Sequence, residues 1–207
     1  MSPLRFVAAL AGVLAIGACA TGEKLPAPAP SPAETSAASA TSVAPLPSYL
    51  VRLAKDGDLY ARVGDRIVDA PADDIAVLRG YPAWADKGAL SGAAAERLTI
   101  LAAKTHYAAG EEVRVVHVHE ATKPGLELYV MGPKAITGEY VDGVLASPPQ
   151  APSLSYDGAV VPSPGADHNY EVSHYRLAPG AHTIEWRYAT LSGPAVLRSN
   201  VLHVEVR

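Results

Sequence analysis

His117-Val118-His119-Glu120 is the densest run of chemistry-bearing side chains in this sequence. Residues two apart on a β-strand share a face, so the spacing predicts two imidazoles on one side of a valine-rich strand. Neutral imidazole suits zinc or copper, and His117 and His119 would supply two of the three or four ligands such a site needs. The third is expected from His168 or His174, in a loop-rich stretch. Ser173, His174 and Asp157 or Asp167 hold the residue types of a nucleophilic triad. Adjacent Ser and His on a strand, however, do not hydrogen-bond in the required direction, and no Gly-x-Ser-x-Gly elbow occurs. Asp73-Asp74 lacks the pattern of a calcium loop and is explained by acidic residues at the positive end of a short helix. No phosphate loop or dinucleotide fingerprint is present. The chain is therefore expected not to be an enzyme, with no catalytic residue assigned and no cofactor beyond the zinc or copper that the histidine pair would take.

The remaining reactive side chain is Cys19, the only cysteine in 207 residues. Before it come Arg5, an apolar stretch from Phe6 to Ile16, and the small residues Gly17 and Ala18. A short basic start, a brief apolar segment and small residues at the cut have the grammar of a secretory signal peptide, and 11 apolar residues are too few to span a bilayer. Ile16-Gly17-Ala18-Cys19 resembles the lipobox of bacterial lipoproteins. The resemblance implies diacylglycerol in thioether linkage at Cys19, cleavage before it and acylation of the new amino terminus. One chain holds a protein marginally, at about 0.8 kcal/mol per buried CH₂, whereas two or more give stable attachment. Alanine at position 20, instead of the aspartate that favours inner-membrane retention in enterobacterial lipoproteins, leans toward the outer membrane.

The full chain carries a net charge of -4, and removal of the signal takes away Arg5. No basic stripe appears, which argues against a nucleic-acid partner and against electrostatic docking to anionic lipid. The partners expected are the membrane, through the lipid, and a protein of the envelope. With no second cysteine the mature chain has no internal disulfide, so residues 49–207 must rely on a core large enough to dispense with one.

Residues 20–48 are Ala, Pro, Ser and Thr with few larger aliphatics, and prolines 26, 28, 30 and 32 alternate with small residues. This composition predicts a tether, at most ~90 Å long at ~3.1 Å per residue. The chain thus divides into a signal (1–18), lipidated Cys19 with its tether (19–48), a small β-hairpin or meander region (49–96) and a β-domain (97–207). Strands are predicted over Leu50–Leu53, Leu59–Val63 and Arg66–Val68, with Asp56-Gly57 and Gly64-Asp65 as turn signals. A short helix is expected from Pro71 through Leu78, ended by Gly80, and a loop over 82–96. From Leu98 onward the strands are clearer. Leu98–Ala103 and Val113–His119 are apolar runs. Leu126, Leu128 and Val130, then Ile184, Trp186 and Tyr188, then Leu202, Val204 and Val206, alternate with polar residues. Antiparallel strands stacked as two sheets are the expected solution.

Three segments carry a further likeness. Tyr107-Ala-Ala-Gly110-Glu111 before a valine-rich strand, Leu177-Ala-Pro179-Gly180-Ala-His182-Thr-Ile184, and Ser199-Asn200-Val-Leu-His-Val-Glu-Val206 resemble strands and turns of bacterial immunoglobulin-like domains. The resemblance implies an all-β, immunoglobulin-like antiparallel β-sandwich over about 97–207. His182 stands at the tyrosine-corner position, and Trp186 must pack on aliphatics without a disulfide. Tyr129, Tyr140, Tyr156, Tyr170 and Tyr175 on strand faces or loops suit either recognition or ordinary strand formation. Pro148–Asn169 is the best candidate for a recognition loop. No specific partner-binding residue is assigned.

Overall fold

In the computed structural model, residues 44–56, 59–63, 66–129, 138–146, 160–168, 172–189 and 196–207 are described. The signal, Cys19, the tether up to residue 43, both turn glycines at 57 and 64, Tyr156, Asp157 and Tyr170 lie outside them. Pro47 opens the first element: its carbonyl accepts the N–H groups of Leu50 and Val51, starting helix α1 (Ser48–Asp56). The strand expected over Leu50–Leu53 is therefore helical. Leu50 and Leu53 are buried three residues apart while Val51 and Arg52 face water, which fits a period near 3.6 and not an alternation of two.

The expected hairpin follows, as antiparallel β1 (Tyr60–Val63) and β2 (Arg66–Asp69). Helix α2 (Ala72–Gly80) begins after Pro71 with Asp73 and Asp74 in its first turn, then tightens into a 3₁₀ turn at Tyr81–Ala83. The β-domain comprises β3 (Glu96–Leu101), β4 (His106–Tyr107), β5 (Val113–Ala121), β6 (Glu127–Tyr129), β7 (Glu139–Val141), β8 (Val144–Leu145), β9 (Val160–Pro162), β10 (Gly165–His168), β11 (Ser173–Tyr175), β12 (Gly180–Ala189) and β13 (Val196–Val206). β9 and β10 fall within Pro148–Asn169, so that stretch is not a loop throughout. Strands in antiparallel and mixed sheets dominate, and the class is all-β.

β5 organises the first sheet. β3 pairs along one edge, and β10 and β11 share the other, opposite residues 118–121 and 113–115. The second sheet runs β4-β13-β12-β7-β8, antiparallel except for the β4–β13 pair. Leu98, Ile100, Val113 and Val115 of the first sheet meet Ile184, Trp186, Leu202, Val204 and Val206 of the second in one apolar core. The opposite face of the first sheet is also covered. Leu101, Val116 and Val118 pack against Leu50, Leu53, Leu78 and Tyr81 from the helices and the 3₁₀ turn. β5 thus lies between two cores, and every residue that it points either way must be apolar or paired.

A bulge explains the Ser199-Asn200 pair. Glu185 pairs with Val201 and Arg187 with Arg198, so two residues of β13 stand opposite Trp186 alone. Ser199 and Asn200 are consequently both buried. The Ser199 hydroxyl accepts the Trp186 N–H at 2.9 Å, replacing the lost ladder bond. The Asn200 carboxamide accepts the Ile100 N–H at 2.9 Å and donates to the Ile100 carbonyl at 3.0 Å. One side chain thereby ties β13 to the backbone of β3 across the core.

Candidate functional site

Alternation along β5 sorts its polar residues into two groups. Odd positions, with Val113 and Val115 in the inter-sheet core, carry His117 and His119 inward. Even positions, with Val116 and Val118, carry Arg114 and Glu120 toward the helical layer. The expected sharing of a face by His117 and His119 is therefore met, but each imidazole faces a carboxylate. His117 Nε2 lies 3.0 Å from Glu139 Oε1, and its ring stands edge-on to Trp186 with centroids 5.0 Å apart. His119 Nε2 lies 3.1 Å from Glu96 Oε1. Neither His168 nor His174 joins them. His168 pairs with Val118 and His174 with Arg114, so both belong to the opposite face of β5, and His174 bonds Glu112. Among the described residues no three His, Cys, Asp or Glu side chains converge on a metal position. The triad does not assemble either, because Ser173 hydrogen-bonds Glu139 while His174 faces away.

Glu139, on β7, gathers donors from the other sheet. Tyr175 donates to its Oε2, and Ser173 and His117 complete the shell. Burial pushes the Glu139 carboxyl up, and the His117 charge and these hydrogen bonds more than offset it, leaving the group below its ordinary range. Tyr175 is spent inward here, and Tyr140 lies under the Arg187 guanidinium at 4.0 Å, so neither is a bare recognition tyrosine.

Glu120 forms the second network. Its partner across the strand pair is Arg97. Arg97 reaches Oε2 through Nε at 2.8 Å and Oε1 through Nη2 at 3.1 Å. The Tyr49 hydroxyl donates to Oε1 at 2.7 Å and the Tyr81 hydroxyl to Oε2 at 2.5 Å. Each carboxylate oxygen thus accepts two bonds, which is its capacity. Burial raises the Glu120 carboxyl, but the bonds from Arg97, Tyr81 and Tyr49 bring it below the usual carboxylate range. Burial and the Glu120 charge drive both tyrosine hydroxyls well above their ordinary value. One glutamate therefore fastens α1, the 3₁₀ turn and β3 to β5. Nothing in the sequence pattern separated Glu120 from the histidine motif that precedes it. Its even position on a strand buried on both faces is the signal.

No family model, no curated protein and no solved structure matches the chain.

The Glu120 network opens onto a cleft of about 560 Å³ lined by Leu46, Pro47, Lys87 and Arg97 among others. Lys87 is set there by its neighbour: a Cβ at Gly88 would lie 1.9 Å from the Leu98 carbonyl oxygen, so only glycine lets the chain pass this close to β3. Lys87 Nζ stands 4.4 Å over the Tyr81 ring and donates to the Pro82 carbonyl at 3.1 Å. A different arrangement holds His182. Its Nδ1 faces Asp142 at 2.7 Å and its Nε2 the Ala178 carbonyl at 2.8 Å, two acceptors that together favour the doubly protonated ring. The Asp142 and Ala178 bonds raise the His182 pKa accordingly. His182 thus clasps the Asp142-Gly143 turn to the loop before β12, a structural duty for the residue at the expected tyrosine-corner position.

Proposed function

We propose that this chain is a lipid-anchored protein of the bacterial envelope whose domain acts without catalysis, as a binding or structural accessory to an envelope protein. The observation that carries the reading is Cys19, the only thiol, at the end of a signal-like segment with lipobox residues before it. Alanine at position 20 favours the outer membrane. The domain is read as an immunoglobulin-like β-sandwich over 97–207. Support comes from the two sheets sharing a core and from Trp186 packed on aliphatics within it. The non-catalytic reading draws on the pairing of ionisable groups: His117, His119, Glu120 and Glu139 are each engaged by structural partners. Fractionation of cells making the wild type or Cys19→Ser tests the anchor. The wild type is expected in the membrane fraction and the variant in the soluble fraction. Equal solubility of the two would remove the proposal.

A second reading, zinc or copper at His117 and His119, draws on their common face and on His117 Nδ1, which is buried without a hydrogen-bond partner. With Nε2 held by Glu139, Nδ1 is the ligand atom His117 has to offer. Metal analysis of the purified protein tests it: a stoichiometric metal lost in His117→Ala would favour it, and its absence from the wild type would end it.

A further inference from the structure

The cleft beside Glu120 has an unbalanced charge. Three ionised side chains line it: Lys87, Arg97 and Glu120. Glu120 has both oxygens filled by Arg97, Tyr49 and Tyr81, so it offers Lys87 no hydrogen bond, although its charge still attracts the ammonium. Lys87 makes no ion pair among the described residues, and its one hydrogen bond goes to a neutral carbonyl. Partly buried cations are costly unless paired, and burial lowers the Lys87 pKa for that reason. The ammonium is nonetheless held in place, over Tyr81 and against Pro82. The remaining wall is mixed: Leu46, Pro47, Leu50, Pro82 and Pro164 give its apolar part, beside Ser48, Tyr49 and Thr122. A fixed cation without an ion pair, in a cleft of net positive lining that also presents leucine and proline side chains and falls within the ~300–1,000 Å³ range of small-ligand sites, is complementary to an anion with an apolar body.

We propose that this cleft binds an organic monocarboxylate with a compact branched aliphatic group, the carboxylate resting on Lys87 and the solvent-facing edge of Arg97. Such a group exists in a free short-chain acid and at the carboxyl terminus of a peptide. The inference deepens the non-catalytic binding reading and rests on it. The anchor is tested separately, since Cys19→Ser leaves the cleft untouched.

Calorimetric titration of the purified full chain with 4-methylpentanoate, N-acetyl-L-leucine and the neutral 4-methylpentanamide decides the matter. At least one of the two acids is expected to bind saturably, and the amide at least about tenfold more weakly, the worth of one charge-assisted hydrogen bond. Tighter binding of N-acetyl-L-leucine identifies a peptide terminus, and tighter binding of 4-methylpentanoate a free acid. Lys87→Gln is expected to weaken the acid by a similar factor with its thermal unfolding unchanged, and Lys87→Arg to retain it. The proposal is overturned by amide binding equal to the acid, by undiminished affinity in Lys87→Gln, or by no saturable binding of either acid up to about 20 mM, far above a useful affinity.

Discussion

Glu120 and Glu139 are both buried carboxylates kept charged by surrounding donors, yet they sit on opposite sides of the same strand and are balanced differently. Glu120 faces a guanidinium that is charged at every relevant pH, and its network opens onto a cleft. Glu139 faces a fully buried imidazole at the inter-sheet core, while its other donors, Tyr175 and Ser173, are half-buried. The first network joins a helical layer to a sheet. The second joins two sheets. A permanent cation suits an attachment beside solvent, where no neutral alternative would hold both carboxylate oxygens. A histidine–glutamate pair within a dry core has a neutral substitute, because two well-packed aliphatics can fill the same space.

The largest effect that would test this contrast is Glu120→Ala. It strands Arg97 and two tyrosine hydroxyls together, and unfolding in urea should show a loss of about 3–5 kcal/mol, as for one half of a buried ion pair. Stability within 1 kcal/mol of wild type, by an estimate of about the worth of one ordinary hydrogen bond, would mean the attachment lies elsewhere. Next in size is His117→Leu, expected to lose about 2–4 kcal/mol because Glu139 keeps Tyr175 and Ser173 but loses its imidazole partner. The double variant His117→Leu/Glu139→Leu should recover most of that loss. If it is no better than the single variant, the inner pair is as indispensable as the outer one and the comparison fails.

Acid exposes both carboxylates at once. Each has its folded-state pKa below the unfolded value, so each contributes stability that is present above about pH 4.3 and lost as pH falls through the folded pKa. The melting temperature should fall steeply on that limb. The double aliphatic variant, free of Glu139, should show a shallower slope, and an unchanged slope would assign acid sensitivity to other groups. The smallest effect is Tyr49→Phe. Glu120 retains three donor bonds, and the expected loss is about 1 kcal/mol by chemical denaturation. A loss several times larger would make α1 docking depend on that hydroxyl alone.

Regular alternation made β12 and β13 readable in advance: Ile184 with Trp186, and Leu202 with Val204 and Val206, all face the core. The hairpin at 60–69 and helix α2 were legible from turn and start signals. Leu50-Val51-Arg52-Leu53 misled because four residues are too few to separate the two periods, and Pro47 was the overlooked start signal. Strands of two to four residues, such as β4, β8 and β10, are too short to display a period. Asp142-Gly143, with φ of 50° and 77°, is a two-residue Asp-Gly turn and joins β7 to β8. At the site, the common face of His117 and His119 followed from spacing. Their carboxylate partners came from β3 and β7, remote in sequence, and no local pattern encodes them.

β13 has a consequence for how the protein is made. It is synthesised after every other described element, yet it lies inside its sheet, between β12 and β4, and its Asn200 bonds Ile100. Until that strand is in place, β12 has a bare edge and the inter-sheet core is uncovered on that side, so the fold closes only once residues 196–206 are available.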